Sequence, residues 1–206
     1  MMADLETIRA FIAVPLSQEV MLKIGAVEEK LKRAMPHRVV RWVDPACIHL
    51  TLHFLGDILT DRVAPVEEAL SVVARNVPPF EFRAAELDAF PNTNRPRVIW
   101  VGVEDPTSWL PLLHEAVNEA MESLGFQRER RRFSPHLTLG RVRRGADQDD
   151  VRALGRTIAS MDIGTLGTVP VTKLIFFKSE LKPTGAVYTP LATFSLKEPE
   201  ISSRGS

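Results

Sequence analysis

The tetrapeptide His-Leu-Thr-Leu occurs twice in this chain, at residues 49–52 and 136–139. Each copy lies in a segment of alternating character, which predicts a β-strand. Successive side chains of a strand point to opposite faces, so the histidine and threonine of each copy share one face while both leucines enter the core. Each strand therefore presents one imidazole and one hydroxyl, and if two such strands face one another across a pseudo-two-fold cleft, the cleft holds two of each.

Pairs of strands alternate with single helices along the rest of the chain. Strands are predicted at 8–14, 38–43, 48–55, 80–89, 97–103, 135–142, 171–180 and 186–196, and helices at 17–35, 61–76, 107–124 and 147–160. Gly56 and Asp57 are expected to end the strand that carries the first copy. This order favours an α+β fold with antiparallel sheets over a doubly wound parallel sheet.

The composition is that of a globular protein, with 45% apolar and 25% charged residues among 206. No segment approaches the length of apolar sequence that a membrane helix needs, and acidic residues precede the first apolar run, unlike a secretory signal. We expect a cytoplasmic monomer with a polar, disordered tail at 198–206. Cys47, the single cysteine, is either a nucleophile or, in the favoured interpretation, a small apolar residue at the start of a buried strand.

Positive charge is concentrated around the second tetrapeptide although the chain is neutral overall, with 26 basic and 26 acidic residues. Arginines cluster at 128–132 and recur at Arg141, Arg143 and Arg144. Such local charge suits a small anionic ligand or an RNA end better than a long duplex, which usually requires a basic excess. The alternative is a basic face that is simply solvated.

The repeated histidine and threonine suit the opening of a cyclic phosphodiester by water. One group must take a proton from water and another must protonate the departing ribose oxygen, and histidine can do either near neutral pH. Threonine hydroxyls can donate to the non-bridging phosphate oxygens. No metal is required, because the leaving oxygen receives a proton instead of a cation.

Four segments resemble a known family. HLTLHFLGD and FSPHLTLGR match its two motifs, FPNTNRPRVIWVGV is similar to its middle hairpin, and KLIFFKSELKPTGAVYTPLATFSL is similar to its closing hairpin. The chain resembles the 2H phosphoesterase superfamily over about residues 8–195, and within it the RNA 2′,3′-cyclic phosphodiesterases (LigT or ThpR), also called 2′-5′ RNA ligases.

The resemblance implies an α+β fold in which two antiparallel sheets with outer helices form a bilobal, pseudo-two-fold arrangement around a central cleft, within one domain over 1–197. It implies that His49 is the general acid and His136 the general base, and that Thr51 and Thr138 bind the phosphate. The implied reaction is hydrolysis of an RNA terminal 2′,3′-cyclic phosphate to a 2′-phosphate without metal or cofactor. Substrates would be RNA ends, such as tRNA fragments, or small nucleotides; some members also join RNA halves through a 2′-5′ linkage.

Two further residues are implied contacts. Family members carry an arginine where Arg141 stands, but simple strand parity places it on the opposite face from His136 unless a bulge near Gly140 turns it inward. Family members also stack a base on an aromatic near the cleft, which Phe11 could supply; a core phenylalanine is the competing interpretation. Tyr188 is expected to pack in its hairpin, with ligand contact as the alternative.

The remaining histidines are not assigned to the motif. His53 shares parity with His49 and is expected to be a peripheral cleft or surface residue, because no further ligands nearby would complete a metal site. His37 and His114 are expected to be exposed.

Two other functions remain open. An RNA-binding module with a decayed site would not need the acid–base pair, which is intact in both copies. A 2′-5′ ligase would use the same site; since the chain has no GxxxxGK[ST] loop, ligation would have to draw on the energy of the cyclic phosphate.

Overall fold

The computed structural model describes residues 6–36, 38–129, 132–182 and 185–197. Its strands are β1 (Thr7–Pro15), β2 (Val40–Trp42), β3 (His49–Leu59), β4 (Phe80–Phe90), β5 (Val98–Glu104), β6 (His136–Val142), β7 (Thr165–Val171), β8 (Lys173–Lys182) and β9 (Gly185–Ser195). Its helices are α1 (Gln18–Ala34), α2 (Val63–Arg75), α3 (Trp109–Ser123) and α4 (Gln148–Ser160). The tail at 198–206 and His37, for which the sequence made predictions, lie outside the described residues.

The described strands form one curled, antiparallel sheet in the order β7-β4-β5-β6-β3-β1-β8-β9, with β2 paired to β6. The predicted α+β class is confirmed. The two four-stranded halves meet between β3 and β6, where the register contains a single pair, Leu50 with Leu137. Each half therefore keeps its own hydrogen-bonded ladder, and the narrow seam between them carries the two repeated tetrapeptides.

Two helices, α1 and α3, pack on the half of the sheet opposite to the strand that precedes them. α1 packs on β7 and α4 on β4, whereas α2 packs on β8 and β9, and α3 packs on β3. The apolar faces of these helices and the inward leucines of β3 and β6 belong to one core. None of the described helices is long and apolar enough to cross a membrane.

Two sequence predictions about strands were wrong. β3 continues through Gly56 and Asp57 to Leu59, because Gly56 adopts a φ of 72° that lets the strand bend without ending. β7 was not predicted, because Gly167 and Pro170 interrupt its apolar pattern. It forms at the edge of the sheet, where a missing backbone N–H leaves no ladder bond unmade.

Candidate active site

The two repeated histidines lie on the same face of adjacent strands. Antiparallel pairing of Leu50 with Leu137 places His49 and His136 on opposite sides of that pair, as diagonal neighbours. In a regular ladder diagonal neighbours are about 7–8 Å apart, and their Cβ atoms are somewhat closer than that.

The threonines share this face. Continuing the register from the leucine pair puts Thr138 opposite His49 and Thr51 opposite His136. The leucines between them are buried, whereas these histidines and threonines are half-buried. We call the surface that carries His49, Thr51, His136 and Thr138 the histidine face.

Both imidazoles are held in the same way. Nδ1 of His49 donates to the carbonyl oxygen of Cys47 at 2.8 Å, and Nδ1 of His136 donates to the carbonyl oxygen of Ser134 at 2.7 Å. A carbonyl only accepts, so in each neutral ring the proton sits on Nδ1 and the lone pair on Nε2. Each Nε2 can therefore accept a proton when the ring is neutral or donate one when the ring is charged.

A short helical turn sets the tether of His49. Asp44 accepts a hydrogen bond from the backbone N–H of Ala46 at 2.9 Å and caps a 3₁₀ turn over Pro45–Cys47. This turn ends two residues before β3 and fixes the carbonyl of Cys47 beneath the imidazole. Cys47 fits a small apolar residue better than a nucleophile. Burial raises the pKa of its thiol, and the nearby Asp44 carboxylate adds to that effect, so the thiolate is disfavoured.

Burial lowers the pKa of both histidines of the histidine face. For His49 this effect is opposed by the carbonyl of Cys47. For His136 it is opposed by the carbonyl of Ser134, while the positive charge of Arg141 lowers the pKa further. The neutral form is thus favoured at both positions, and a neighbouring cation acts directly on His136.

An aromatic cluster surrounds His49. The ring of Phe11 stacks on the imidazole at 4.7 Å between centroids, and Tyr188 meets the imidazole edge-on at 5.2 Å. Phe177 also stacks on Phe11, with 5.2 Å between the ring centroids. Phe11 is only 1% exposed, so no face of its ring is open to a nucleobase. The base-stacking prediction is corrected in favour of the core phenylalanine, which supports His49. Tyr188 contacts the imidazole of His49, so it does more than pack within its hairpin.

The surroundings of His136 are sparser. Phe90 meets the imidazole edge-on at 4.9 Å, and the ring of Trp100 lies 6.3 Å away. Trp100 is paired in register with Thr138, and Gly102 with His136. Sequence reasoning did not bring Phe90 or Trp100 to the site, because they belong to a hairpin distant in sequence.

A bulge turns Arg141 toward the histidine face. The β5–β6 register runs from Ile99 with Gly140 directly to Trp100 with Thr138, so Leu139 has no partner. The extra residue reverses the parity beyond it, which puts Arg141 on the side of His136. Gly140 is required there, because a Cβ atom would meet the side chain of Val40 at 2.7 Å.

Two more arginines contribute to the positive potential of this region. The charges of Arg141, Arg9 and Arg41 each lower the pKa of Tyr188, although burial of its hydroxyl raises it more. Arg41 is opposite Arg141 in the β2–β6 register. The sequence did not indicate Arg9 or Arg41, because only the pairing of β1 with β8 and of β2 with β6 brings them here.

The predictions for His53 and His114 were wrong. A bulge at Leu52, between the pairs Ile12–His53 and Ala13–Thr51, turns His53 into the core. His53 is 3% and His114 8% exposed. Nδ1 of His53 lies 2.6 Å from the side-chain oxygen of Asn118, whose amide nitrogen lies 3.1 Å from the ring of His114. Burial lowers the pKa of both rings, so this cluster is a neutral part of the core.

The predicted basic cluster at 128–132 is partly neutralised where the structure describes it. Arg128 forms ion pairs with Glu115 and, at 3.2 Å, with Glu122. Within the described part of the chain, no three His, Cys, Asp or Glu side chains are arranged to hold a metal ion.

Comparison with known proteins places the repeat in context. The family model described as LigT like phosphoesterase matches the chain twice, over residues 14–100 and 101–188, so each match contains one tetrapeptide. A Methanothermobacter thermautotrophicus protein named RNA 2′,3′-cyclic phosphodiesterase is 31% identical over 189 residues, covering 92% of this chain and 99% of the relative.

Solved structures agree with the fold. A Thermus thermophilus crystal structure superposes with a TM-score of 0.75 at 29% identity, over 92% of this chain and 98% of its own. Escherichia coli LigT complexed with 3′-AMP superposes with a TM-score of 0.70 at 26% identity, over 94% and 100%. With two family matches that span most of its length, each built around one His-Leu-Thr-Leu strand, this chain belongs to the LigT-like phosphoesterase family.

Proposed function

We propose that this protein hydrolyses the terminal 2′,3′-cyclic phosphate of RNA to a 2′-phosphate, without a metal ion, and that His49 and His136 are its acid and base. The observation that carries the proposal is the matched tethering of both rings through Nδ1, which leaves each Nε2 available to the substrate. The relatives named RNA 2′,3′-cyclic phosphodiesterase support the substrate class.

The reaction needs two proton transfers. Nε2 of His136 takes a proton from a water molecule as its oxygen attacks phosphorus. The bond between phosphorus and the 3′-oxygen breaks, and Nε2–H of His49 protonates that oxygen. The products are a 2′-phosphate and a 3′-hydroxyl; afterwards His136 holds a proton and His49 lacks one, and exchange with solvent restores the starting state.

The charge environment supports this division of labour. The positive charge of Arg141 favours the neutral form of His136, which is the form that a base requires. The face of Phe11 lies against His49, and an aromatic face stabilises a cation such as the imidazolium of the acid. Both effects favour His136 as base and His49 as acid.

Charge that develops on the phosphate must also be stabilised. In the proposal the hydroxyls of Thr51 and Thr138 donate to the non-bridging oxygens from opposite ends of the histidine face. The guanidinium of Arg141 supplies a charged donor, and charge-assisted hydrogen bonds to phosphate are stronger than neutral ones. Donors held in place before the reaction need no reorganisation during it.

The test is an incubation of EDTA-treated protein with a short RNA that ends in a 2′,3′-cyclic phosphate, with the products resolved as 2′- or 3′-phosphate. We expect a 2′-phosphate and no dependence on added metal. The same RNA ending in an open 3′-phosphate is the control and should remain unchanged. A 3′-phosphate product, or activity only with metal restored, would contradict the proposal.

Ligation is the related reaction in which a 5′-hydroxyl of a second RNA replaces water and forms a 2′-5′ linkage. It breaks the same bond to the 3′-oxygen and uses the same two proton transfers. We expect it to be minor, because water is in large excess. Adding an RNA with a 5′-hydroxyl to the incubation measures the ratio of joined to hydrolysed product.

A further inference from the structure

A groove lined with arginines leads away from the histidine face. It has a volume of about 1030 Å³ and lies between the β4–β5 connection and the segment that joins β6 to α4. Among the residues that line it, six are arginines and none is aspartate or glutamate. The arginines are Arg95, Arg97, Arg141, Arg143, Arg144 and Arg152.

The positive charge of this groove is largely unneutralised. Arg152 forms an ion pair with Asp149, but the ion pairs found among the described residues include none of the other five arginines. All five are exposed. In a chain whose net charge is zero, such segregation raises the local potential, and it concentrates anions at that place.

Arg141 links the groove to the proposed catalytic site. This residue lines the groove, and its charge also lowers the pKa of His136. His136 begins β6 and Arg143 follows directly after its end. At roughly 3.3 Å per residue, Arg143 lies about 23 Å along the chain direction from His136, a span that several nucleotides of an extended strand would fill.

We propose that the groove binds the phosphates of the RNA chain on the 5′ side of the terminal cyclic phosphate, so that oligonucleotides are preferred over mononucleotides. The proposal rests on the proposed function. Guanidinium groups match phosphate oxygens in bidentate geometry. No aromatic side chain lines the groove, so it offers no stacking platform, and recognition follows the backbone with little dependence on base sequence.

The test compares two substrates with the same 3′-terminal residue: cytidine 2′,3′-cyclic phosphate and a ten-nucleotide RNA ending in it. The variant is Arg143→Gln/Arg144→Gln, and the matched control is Arg33→Gln/Arg75→Gln, which removes two exposed charges outside the groove. For the groove variant we expect kcat/KM on the oligonucleotide to fall about tenfold at low salt through a higher KM. Turnover of the mononucleotide and both activities of the control should stay within about twofold of wild type.

Salt dependence gives a second readout. Loss of two phosphate contacts to a single strand should reduce the slope of log(kcat/KM) against log[salt] by about 1.4 for the oligonucleotide. If groove variant, control and wild type have equal kcat/KM and equal slopes on the oligonucleotide, the groove proposal is overturned while the proposed function stands.

A binding measurement separates the two proposals if neither substrate turns over. Fluorescence anisotropy with the ten-nucleotide RNA carrying a 3′-phosphate needs no catalysis. Weaker, less salt-sensitive binding by Arg143→Gln/Arg144→Gln than by the control would support the groove. Equal binding by the two variants would refute it.

Discussion

The strands β3 and β6 carry the same tetrapeptide but end in different chemistry. Both histidines donate Nδ1–H to a carbonyl two residues earlier, and both strands bulge at the second leucine of the tetrapeptide. Beyond the bulge β3 continues with His53 and Phe54, whereas β6 continues with Gly140 and Arg141. The repeat thus supplies two imidazoles that are held in the same way, and the residues after each bulge give them different surroundings.

This difference gives the site a direction. In the half that contains His49, Phe11 and Tyr188 contact the imidazole, whereas in the half that contains His136 the nearby Arg141 also lines the arginine groove. Aromatic rings around His49 favour the imidazolium that an acid needs, and a cationic groove favours phosphates. In the proposed function we expect this polarity to favour a single substrate orientation, although the fold itself is nearly symmetric.

The largest effects should come from removing either imidazole. His49→Ala and His136→Ala should each lower kcat by about 10²–10⁴-fold, the usual contribution of general acid or base catalysis. Urea unfolding monitored by circular dichroism should show that both variants fold, because each ring is only half-buried. Wild-type turnover in either variant would show that the two strands do not both supply a catalytic histidine.

Removal of one hydroxyl should have a smaller effect. Thr51→Val and Thr138→Val keep the shape of the side chain and lose a donor to a charged oxygen, which contributes about 1.5–3 kcal/mol. We therefore expect kcat/KM to fall by about 10–150-fold for each. Steady-state kinetics on the cyclic phosphate measure the loss, and Thr157→Val, on α4 away from the histidine face, is the control expected to leave kcat/KM unchanged.

The neighbouring cation should be visible in the pH dependence. We expect a bell-shaped profile of kcat/KM with its maximum below the ordinary histidine pKa of about 6.5, because burial lowers the pKa of both rings. Arg141→Gln removes a charge that lowers the pKa of His136, so the limb that depends on His136 should move to higher pH while the other stays. The control Arg75→Gln should shift neither limb. If neither limb moves in Arg141→Gln, the charge of Arg141 does not act on the pKa of His136.

Asn118, which lies between the buried His53 and His114, should affect stability more than activity. Asn118→Leu leaves the buried Nδ1 of His53 without its 2.6 Å partner, which should lower the free energy of unfolding by about 1–3 kcal/mol. Asn76→Leu is the control, because Asn76 is exposed and its amide donates only to its own helix. If urea unfolding shows equal losses for both, the buried cluster does not stabilise the fold.

Much of the fold follows from periodicity, and the failures occur where geometry interrupts it. The alternation of β3 and β6 predicted the shared face of each histidine and threonine. Leu52 has the sequence pattern of an ordinary core position, so neither its bulge nor the burial of His53 could be predicted from the sequence. In β6, by contrast, Gly140 indicated the equivalent bulge. Arg41, Phe90 and Trp100 reach the site only through strand pairings between distant segments, which no local pattern encodes.

A cyclic phosphate whose leaving 3′-oxygen is replaced by sulfur distinguishes the acid from the base. A thiolate leaves without a proton, so this substrate needs the base but not the acid. We expect His49→Ala to recover near wild-type turnover on the sulfur substrate, and His136→Ala to stay inactive. Recovery by His136→Ala instead would reverse the roles of the two strands, and recovery by neither would contradict the division of acid and base between them.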